Sequence, residues 1–258
     1  MKNYRITVAY DGTRYKGWQV LKNQDATIQG KLQSVLESLA EEPVDVIGSG
    51  RTDAGVHAQA QIANFHMRWE DTPEALMNAI NGYLPEDIAV AAIEEVEERF
   101  HSRYAATAKT YRYRIRTAPF PNVFERKYVY HYTDMPLDIA AMRYAAAQLV
   151  GTHDFASFCG NRKMKKSTVR TIYEIAITQE DGEIRIDYTG NGFLQNMVRI
   201  LTGTLIEVGT HRREPESMTD ILDARQRSAA GYTAPPQGLI LMKVYYGKMD
   251  GIQQESQF

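Results

Sequence analysis

The sequence predicts an α+β protein built from two ferredoxin-like β-α-β-β-α-β halves, with their sheets side by side and a central cleft between them. Short segments with strand-like apolar patterns alternate with longer segments whose apolar residues recur at helical spacing, and the order of these segments is the same in both halves. The length of 258 residues is also enough for two halves that share a core. We therefore expect a first half over residues 1–105, a second half over 106–248 and a tail over 249–258.

The first half contains all six elements of such a unit. Its first helix shows apolar residues at helical spacing from Ile28 to Leu39, with Thr27 or Asp25 as the N-cap. Thr72-Pro73 opens the second helix as N-cap and first-turn proline, and Asn81-Gly82 closes it. In order, the predicted elements are a strand over Tyr4–Tyr10 that ends in the Asp11-Gly12 turn, a helix over Ile28–Leu39, strands over Val44–Ile47 and Ile62–Met67, a helix over Pro73–Asn81 and a strand over Ile88–Glu95.

The second half repeats this order with one inserted helix. Gly151 ends its first helix, and Asp181-Gly182 is a turn signal between two strands. In order, the predicted elements are a strand over Lys109–Arg116, a helix over Asp138–Val150, strands over Val169–Thr178 and Ile184–Thr189, a helix over Phe193–Val208, the inserted helix over Pro215–Arg225 and a strand over Leu239–Tyr246.

Composition excludes several classes of protein. The hydrophobic content of 43% and charged content of 24% are ordinary for a globular protein, and no apolar run reaches the ~18 residues that a membrane span needs. We expect a cytoplasmic protein with no membrane partner. Cys159 is the single cysteine, so it forms no intrachain disulfide, and we interpret it as an inert buried residue. The six histidines lack metal-ligand spacing, so we predict no metal.

The net charge of -2 does not favour a nucleic-acid partner, but the charges are segregated. Residues 99–116 include six basic side chains and no acid, and residues 161–170 include five basic side chains and no acid. The second of these segments holds Lys163, Lys165 and Lys166. Both segments are either ordinary solvated faces or phosphate-binding surfaces, and charge alone does not separate these readings.

A glycine-rich segment, Gly48–His57, follows a predicted strand. A dinucleotide-binding fingerprint would place glycine where Asp53 stands and would then open a helix. Neither condition holds, so we reject a dinucleotide site. The loop presents Arg51 and Asp53 two residues apart, which is either a local ion pair in a turn or part of a functional site.

Residues 51–57, Arg-Thr-Asp-Ala-Gly-Val-His, resemble the characteristic motif of the tRNA pseudouridine synthase A family. Further blocks resemble the same family in the same order, so the similarity covers nearly the whole chain. These blocks are Tyr10-Asp11-Gly12-Thr13 with Gly17-Trp18-Gln19, Leu84-Pro85-Glu86-Asp87-Ile88, Phe100-His101-Ser102-Arg103-Tyr104, Lys109-Thr110-Tyr111-Arg112-Tyr113, Asp154-Phe155-Ala156-Ser157-Phe158, Asn191-Gly192-Phe193-Leu194 with Met197-Val198-Arg199, and Gly238-Leu239.

The resemblance implies a cofactor-free and metal-free isomerase that acts on tRNA as a homodimer. Asp53 matches the family's catalytic aspartate, Tyr111 its active-site tyrosine, and Arg199 the arginine that pairs with the aspartate. The implied substrates are uridines at tRNA positions 38–40, in the anticodon stem-loop. The sequence differs from the family pattern after Gln19, where Val20-Leu21 stands in place of the basic or amide residue that the family often carries. Whether this loop binds RNA as it does in the family is therefore not determined by the sequence.

Pseudouridine formation needs a carboxylate and a dry pocket. The N1–C1′ bond breaks, the base turns, and C5 joins C1′ after the base has left its stack. A carboxylate can attack C1′ or C6, or take a ribose proton, and the sequence does not choose among these. Because the leaving uracil is recaptured, one carboxylate suffices where a glycoside hydrolase uses two.

Several further residues are predicted to bind the substrate. Tyr111 either stacks on the flipped uracil or belongs to the strand core, and we expect the strand to begin near it so that its ring reaches the cleft. His57 either orders its loop or touches a phosphate. The remaining substrate-binding assignments are Arg51, Phe193 and Leu239, together with phosphate contacts from Lys163, Lys165 and Lys166.

Arg199 is predicted on one flank of its helix. Gly192, Asn196 and Gly203 share that flank, and the two glycines let another backbone or a nucleotide approach closely. The alternative for this residue is an exposed helix arginine without a role in the site.

Two other function classes remain to be compared with the synthase. The first is a non-catalytic tRNA-binding or RNA-chaperone protein, which has no need to keep Asp53, Tyr111 and Arg199 together. The second is a small-molecule enzyme of similar architecture, which the acid-free basic segments disfavour.

Overall fold

The computed structural model describes residues 1–20, 26–161 and 163–247, and it has an α+β fold, as predicted. The chain divides into two compact units, one of Met1–Ala108 with the chain from Leu241 onward, and one of Lys109–Ile240. Most of the last strand therefore belongs to the first unit, whereas the sequence analysis placed it in the second half. Leu21, Arg162 and the tail over 249–258 lie outside the described residues.

Within the described residues we number ten strands and five α-helices. The strands are β1 (Lys2–Tyr10), β2 (Ile47–Gly48), β3 (His57–Met67), β4 (Ile88–Val96), β5 (Ala106–Arg116), β6 (Tyr130–His131), β7 (Gly151–Asp154), β8 (Val169–Glu180), β9 (Glu183–Gly190) and β10 (Leu239–Tyr246). The helices are α1 (Ile28–Ala40), α2 (Pro73–Tyr83), α3 (Ile139–Ala147), α4 (Met197–Gly209) and α5 (Met218–Ala224).

In the first unit, β1 lies between β4 and β3 and is antiparallel to both, and β2 pairs with β3. Alternate residues of β1 point into the core: Tyr4, Ile6 and Val8 are fully buried. The apolar positions predicted for α1 include the fully buried Ile28, Leu32 and Leu36 of that helix. Burial of these aliphatic side chains stabilises each by roughly 1.5–3 kcal/mol relative to exposure.

The N-terminal caps of α1 and α2 confirm the sequence prediction. Thr27 accepts a hydrogen bond from the N–H of Gly30 at 3.2 Å, and Thr72 accepts one from Ala75 at 3.2 Å. The end of α2 was predicted at Asn81-Gly82, but the helix continues to Tyr83. The side chain of Asn81 bonds the backbone of Val90 in β4 instead of ending the helix.

The predicted strand over Val44–Ile47 is largely wrong. Val44 and Val46 are buried as expected, but strand pairing begins only at Ile47. Their carbonyl groups accept hydrogen bonds from two side chains of α1 instead, from Gln33 at 3.3 Å and from Gln29 at 2.8 Å. The backbone polar groups are therefore satisfied by a helix rather than by a neighbouring strand.

In the second unit the strand order is β5-β9-β8-β7, antiparallel throughout, with β6 parallel to β5. Asp181 and Gly182 join β8 to β9 with φ values of 49° and 71°, which confirms the predicted turn. Strand β7 was not predicted: helix α3 ends at Ala147, and the segment from Gly151 pairs with β8. The predicted helix over Pro215–Arg225 is a 3-10 turn followed by α5.

Helix α4 begins four residues later than predicted. The apolar spacing continues back to Phe193, but Asn196 has a φ of 59°, which a right-handed helix does not accept. Asparagine adopts this left-handed conformation more readily than most residues. Gly203, farther along the helix, faces the backbone of Tyr232, since a Cβ there would lie 2.0 Å from that carbonyl oxygen. The close neighbour expected at this glycine is therefore protein backbone.

The basic face of β5 is paired with acids of β9. Arg112 donates two hydrogen bonds of 2.7 Å to the carboxylate of Asp187. Arg114 pairs with Glu183 at 2.7 Å and with Glu125 at 2.9 Å. This part of the acid-free basic segment therefore faces acids that are distant in sequence, and these two arginines are held in partly buried ion pairs and do not form a solvated or phosphate-binding face.

Glu183 is expected to make stability depend on pH. Hydrogen bonds from Arg114, then from Arg185, lower the pKa of its carboxyl from 4.5 to about 2. The ionised form is thus favoured in the folded state, so its contribution is present above pH 4.5 and is lost as the pH falls towards 2. We expect Glu183→Gln to lower the free energy of unfolding at pH 7 by about 2–3 kcal/mol, and by much less at pH 3.

Urea unfolding at the two pH values measures this difference. Glu180→Gln, an exposed acid of the same hairpin, is the control and should change little at either pH. An equal loss of stability for Glu183→Gln at pH 7 and pH 3 would contradict the assigned pairing.

Candidate active site

The Asp53 loop, which we define as residues 49–56, connects β2 to β3 in the first unit. Hydrogen bonds hold its backbone to the segment after β1: the N–H of Trp18 donates to the Thr52 carbonyl at 3.1 Å, and the N–H of Gly55 donates to the Tyr15 carbonyl at 3.3 Å. The hydroxyls of Tyr10 and Thr52 are 2.8 Å apart and buried. The loop is therefore fixed on both sides of Asp53.

Two glycines let the loop pack directly on another backbone. A Cβ at Gly12 would lie 2.0 Å from the Val56 carbonyl oxygen. A Cβ at Gly17 would lie 2.5 Å from the Thr52 carbonyl oxygen and 3.1 Å from the Asp53 carbonyl carbon, and the φ of Gly17 is +95°. These distances are far below van der Waals contact, so both positions require glycine in this packing. Gly12 and Gly17 both lie in sequence blocks that resemble the family, and their contact with the loop gives the physical reason for glycine at these two positions.

Within the loop, burial differs sharply between neighbours. Thr52 and Val56 are buried, whereas Asp53 is half-buried and Arg51 is exposed. The backbone is anchored through the buried residues, and this anchoring holds the half-buried Asp53 at a defined position in the unit. Such an arrangement suits a reactive carboxylate, because its position does not depend on a mobile loop.

His57 is buried at the start of β3, with 3% of its surface exposed. Its Nδ1 accepts a hydrogen bond from the N–H of Gly12 at 3.0 Å and lies 3.2 Å from a carboxylate oxygen of Asp11. A phosphate contact requires an accessible side chain, so this geometry favours the loop-ordering role over the phosphate-binding role.

Tyr111 lies in the second unit, in the middle of β5 rather than near its beginning as predicted. The strand already starts at Ala106, and the hydroxyl of Thr107 donates to the carbonyl of Tyr245 at 3.2 Å. The ring of Tyr111 is 7% exposed and meets the edge of the Phe193 ring, with 5.3 Å between centroids and an interplanar angle of 84°. These two predicted substrate-binding residues are therefore in contact.

Arg199 is half-buried on α4, and its guanidinium is held by neighbouring groups. Its Nε donates to the Ala234 carbonyl at 2.7 Å, and Nη1 donates to the amide oxygen of Asn196 at 3.0 Å. The N–H of Ala234 in turn donates to the Arg199 carbonyl at 3.0 Å. The left-handed backbone of Asn196, which shortens the helix, thus places an amide against the arginine.

Tyr113 holds the segment that precedes β10, and Leu239 is the first residue of that strand. The Tyr113 hydroxyl donates to the Pro235 carbonyl at 2.7 Å, and burial raises the pKa of this phenol although the nearby Arg199 acts in the opposite direction. Leu239 is 5% exposed, so it contributes to the core more than to an open surface. The segment that holds Arg199 is therefore itself fixed on β5.

Two of the three predicted phosphate-binding lysines line a groove of the second unit. Lys163, Lys165 and Lys166 are exposed, and the last two line a groove of about 720 Å³ together with Arg225 and Arg227. Asp154 also lines the groove, 3.4 Å from Arg225. The charge of this groove is therefore mainly positive.

Asp53, Arg51 and His57 belong to the first unit, and the other predicted site residues belong to the second. The anchoring roles of Tyr10, Trp18 and Ala234 were not predicted. Tyr10 and Trp18 stand in sequence blocks that resemble the family, and this could have indicated their importance. No feature of the sequence indicates the role of Ala234. Among residues 1–20, 26–161 and 163–247 we find no group of three His, Cys, Asp or Glu side chains arranged to hold a metal, and no helix long and apolar enough to cross a bilayer.

Comparison with known proteins adds independent findings. Residues 6–105 and 145–247 match a family model described as tRNA pseudouridine synthase. A tRNA pseudouridine synthase A 2 from Bacillus cereus is 44% identical over 246 residues, which is 95% of this chain and 100% of the relative. Proteins named tRNA pseudouridine synthase A from a Geobacillus species and a Thermoanaerobacter species are also 44% identical over 95% of this chain, covering 98% and 100% of their own lengths.

Proposed function

Since this chain belongs to the tRNA pseudouridine synthase family, we propose that Asp53 is the carboxylate with which it isomerises uridine to pseudouridine in tRNA. The protein is an isomerase. The observation that carries the assignment of Asp53 is its loop, which is packed on Gly12 and Gly17 so closely that no side chain fits between, while Asp53 itself is only half-buried.

The reaction conserves all atoms of the nucleoside. The N1–C1′ bond breaks, the uracil turns, C5 bonds to C1′, and the proton on C5 is released while N1 gains one. A fixed carboxylate can assist either by covalent attack or by taking a ribose proton, and both need the base outside its stack. Exclusion of water then prevents hydrolysis of the sugar intermediate.

Tyr111 and Arg199 complete the proposed set of catalytic residues. The edge-to-face contact with Phe193 holds the Tyr111 ring in one orientation, which supports its use as a surface against uracil. The hydrogen bonds from Arg199 to Ala234 and Asn196 fix the direction of its charge before substrate arrives. Preorganised charge stabilises a transition state without the cost of reorientation.

The finer parts of the proposal come from the resemblance. They are modification at tRNA positions 38–40 and a homodimer. The cytoplasmic location expected from the composition is also part of the proposal. We also propose that both units are ferredoxin-like. The order β4-β1-β3 with β2 on β3 supports this for the first unit, and the order β5-β9-β8 supports it for the second. Analytical ultracentrifugation tests the dimer, and mapping of modified positions in isolated tRNA tests the substrate positions.

One assay separates the three function classes. tRNA carrying tritium at C5 of uridine is incubated with the purified protein, and released tritium and free uracil are measured. We expect release of tritium without free uracil, because the base is rejoined through C5. Binding of tRNA without release would support a non-catalytic RNA-binding protein, and absence of both would support a small-molecule enzyme.

The groove lysines are expected to contact tRNA phosphates. The double charge reversal Lys165→Glu with Lys166→Glu should weaken tRNA binding by about tenfold or more, because it removes two cations from a mainly positive groove. It should also reduce the slope of log affinity against log salt by roughly 2. Fluorescence anisotropy with labelled tRNA at several salt concentrations measures both quantities.

The matched control is Arg126→Glu with Lys127→Glu. These two residues are also consecutive and exposed in the second unit, but they do not line the groove. Equal effects of the two double variants, or an unchanged affinity and salt slope for the lysine pair, would show that the groove has no special role in binding.

A further inference from the structure

The Phe100–Tyr104 turn is one of the sequence blocks that resemble the family, but it has no role in the proposed catalysis. Its inward residue is Ser102, which is fully buried. The N–H of Ser102 donates to the Asn64 amide oxygen at 2.9 Å, its hydroxyl donates to the Ile47 carbonyl at 2.5 Å, and its carbonyl accepts from the Tyr246 hydroxyl at 2.8 Å. Both backbone polar groups and the side chain of Ser102 therefore have partners in the first unit.

Phe100 anchors the other end of the turn. Its ring lies 5.3 Å from the Tyr246 ring, and the guanidinium of Arg5 lies 5.5 Å from the Phe100 ring centre. The Phe100 carbonyl accepts from the side chain of Asn3 at 2.9 Å. The turn is thus rigid, although it lies at the surface.

The outward residues of this rigid turn are aromatic and basic. Tyr104 is 82% exposed, and its ring lies over the His101 ring at a centroid distance of 4.2 Å and an angle of 31°. The Nδ1 atom of His101 accepts from the N–H groups of Arg103 and Tyr104 at 3.2 and 3.3 Å, which holds the imidazole in place. Arg99 and Arg103 are exposed on the same segment. The turn therefore presents an open aromatic face, backed by a second ring, beside positive charge.

The turn is also attached to the strand that leads into the Asp53 loop. The Ile47 carbonyl, which accepts from Ser102, belongs to β2, and the loop begins two residues later at Ser49. The position of Tyr104 is therefore linked through one buried serine to the chain that carries the catalytic carboxylate.

We propose that Tyr104, supported by His101, is a stacking platform for an unstacked base of the tRNA, and that Arg103 contacts a nearby phosphate. This inference rests on the proposed function. An exposed tyrosine loses little conformational entropy when a base stacks on it, because the His101 ring already restricts it. Every base offers a face to such a platform, so the contact does not require one sequence, which suits an enzyme with several tRNA substrates. Bases in a continuous duplex are not available for this contact, whereas loop bases are.

Binding to an inactive enzyme tests the proposal without reference to catalysis. In the Asp53→Asn background, we expect Tyr104→Ala to weaken the binding of an anticodon stem-loop RNA by about tenfold, with no change in salt slope. Tyr104→Phe, which keeps the ring, should bind like the parent. Arg103→Ala should instead reduce the salt slope by roughly 1. A blunt RNA duplex should bind the parent and Tyr104→Ala equally.

The matched control is Tyr83→Ala, which removes another tyrosine of the first unit that is 71% exposed. Equal binding by Tyr104→Ala and the parent would overturn the proposal, as would an equal loss with Tyr83→Ala or with the duplex. A loss in Tyr104→Phe as large as that in Tyr104→Ala would also overturn it, because the hydroxyl and not the ring would then matter. Failure of wild-type protein to release tritium would refute the catalytic proposal separately, since these measurements concern binding alone.

Discussion

Asp53→Asn is expected to abolish tritium release from C5-labelled tRNA, with a fall in rate of at least about a thousandfold. Asparagine has the same shape as aspartate but is neither a base nor an effective nucleophile, so it removes the proposed chemistry and little else. Because the loop is held by the backbone of Thr52 and Gly55 and by the Thr52 hydroxyl, we expect its structure to persist in the variant. Single-turnover tritium release with enzyme in excess measures the chemical step.

Two controls make this result specific to Asp53. Asp45→Asn, at an exposed carboxylate of the same unit, should release tritium at the wild-type rate. The Asp53→Asn protein should melt and bind tRNA like wild type. A rate within tenfold of wild type for Asp53→Asn would refute the assignment of the catalytic carboxylate, whereas an unfolded variant would be identified by its melting curve and replaced by Asp53→Glu, which keeps the charge but moves it by about 1.5 Å.

Gly17→Ala is expected to reduce kcat by about a hundredfold, because a shift of about 1 Å in a catalytic group has effects of this size. The added methyl group would lie 2.5 Å from the Thr52 carbonyl oxygen and 3.1 Å from the Asp53 carbonyl carbon, so the loop must move. The φ of +95° adds strain for any residue with a Cβ. Together these effects should lower the free energy of unfolding by about 2 kcal/mol or more.

Gly82→Ala is the matched control, and it should change stability in the opposite direction. Gly82 lies within α2, and among the described residues no heavy atom beyond its own stretch of helix lies within 4 Å of a Cβ built there. Alanine should therefore stabilise the helix by roughly 0.5–1 kcal/mol and leave kcat unchanged. Urea unfolding and steady-state kinetics on both variants decide the matter. Similar stability and kcat in Gly17→Ala and Gly82→Ala would contradict the close packing of the Asp53 loop.

Features that depend on neighbouring residues were predictable from the sequence. The caps at Thr27 and Thr72 each bond a backbone N–H three residues ahead, and the Asp181-Gly182 turn needs only its own two φ values. The residue types at positions 53, 111 and 199 were also readable, because they stand in ordered blocks that match one family. Local physics and motif order were sufficient for the fold class, most elements and the family.

Features that depend on distant partners were not predictable. Val44 and Val46 have strand-like residues, but glutamines of α1 bond their carbonyls and prevent the pairing. Arg112 and Arg114 look like part of a free basic surface until the acids of β9 are placed opposite them.

The same reason explains what was hidden in the Phe100–Tyr104 block. Alternation along five residues does not say that Ser102 is fully buried and hydrogen-bonded while Tyr104 is 82% exposed on a fixed turn. The partners of Ser102 are Asn64, Ile47 and Tyr246, which are 38, 55 and 144 residues away in the chain. Contacts of this range leave no local sequence pattern, because a hydrogen bond depends only on which groups folding brings close together. It does not depend on how far apart these groups are in the sequence.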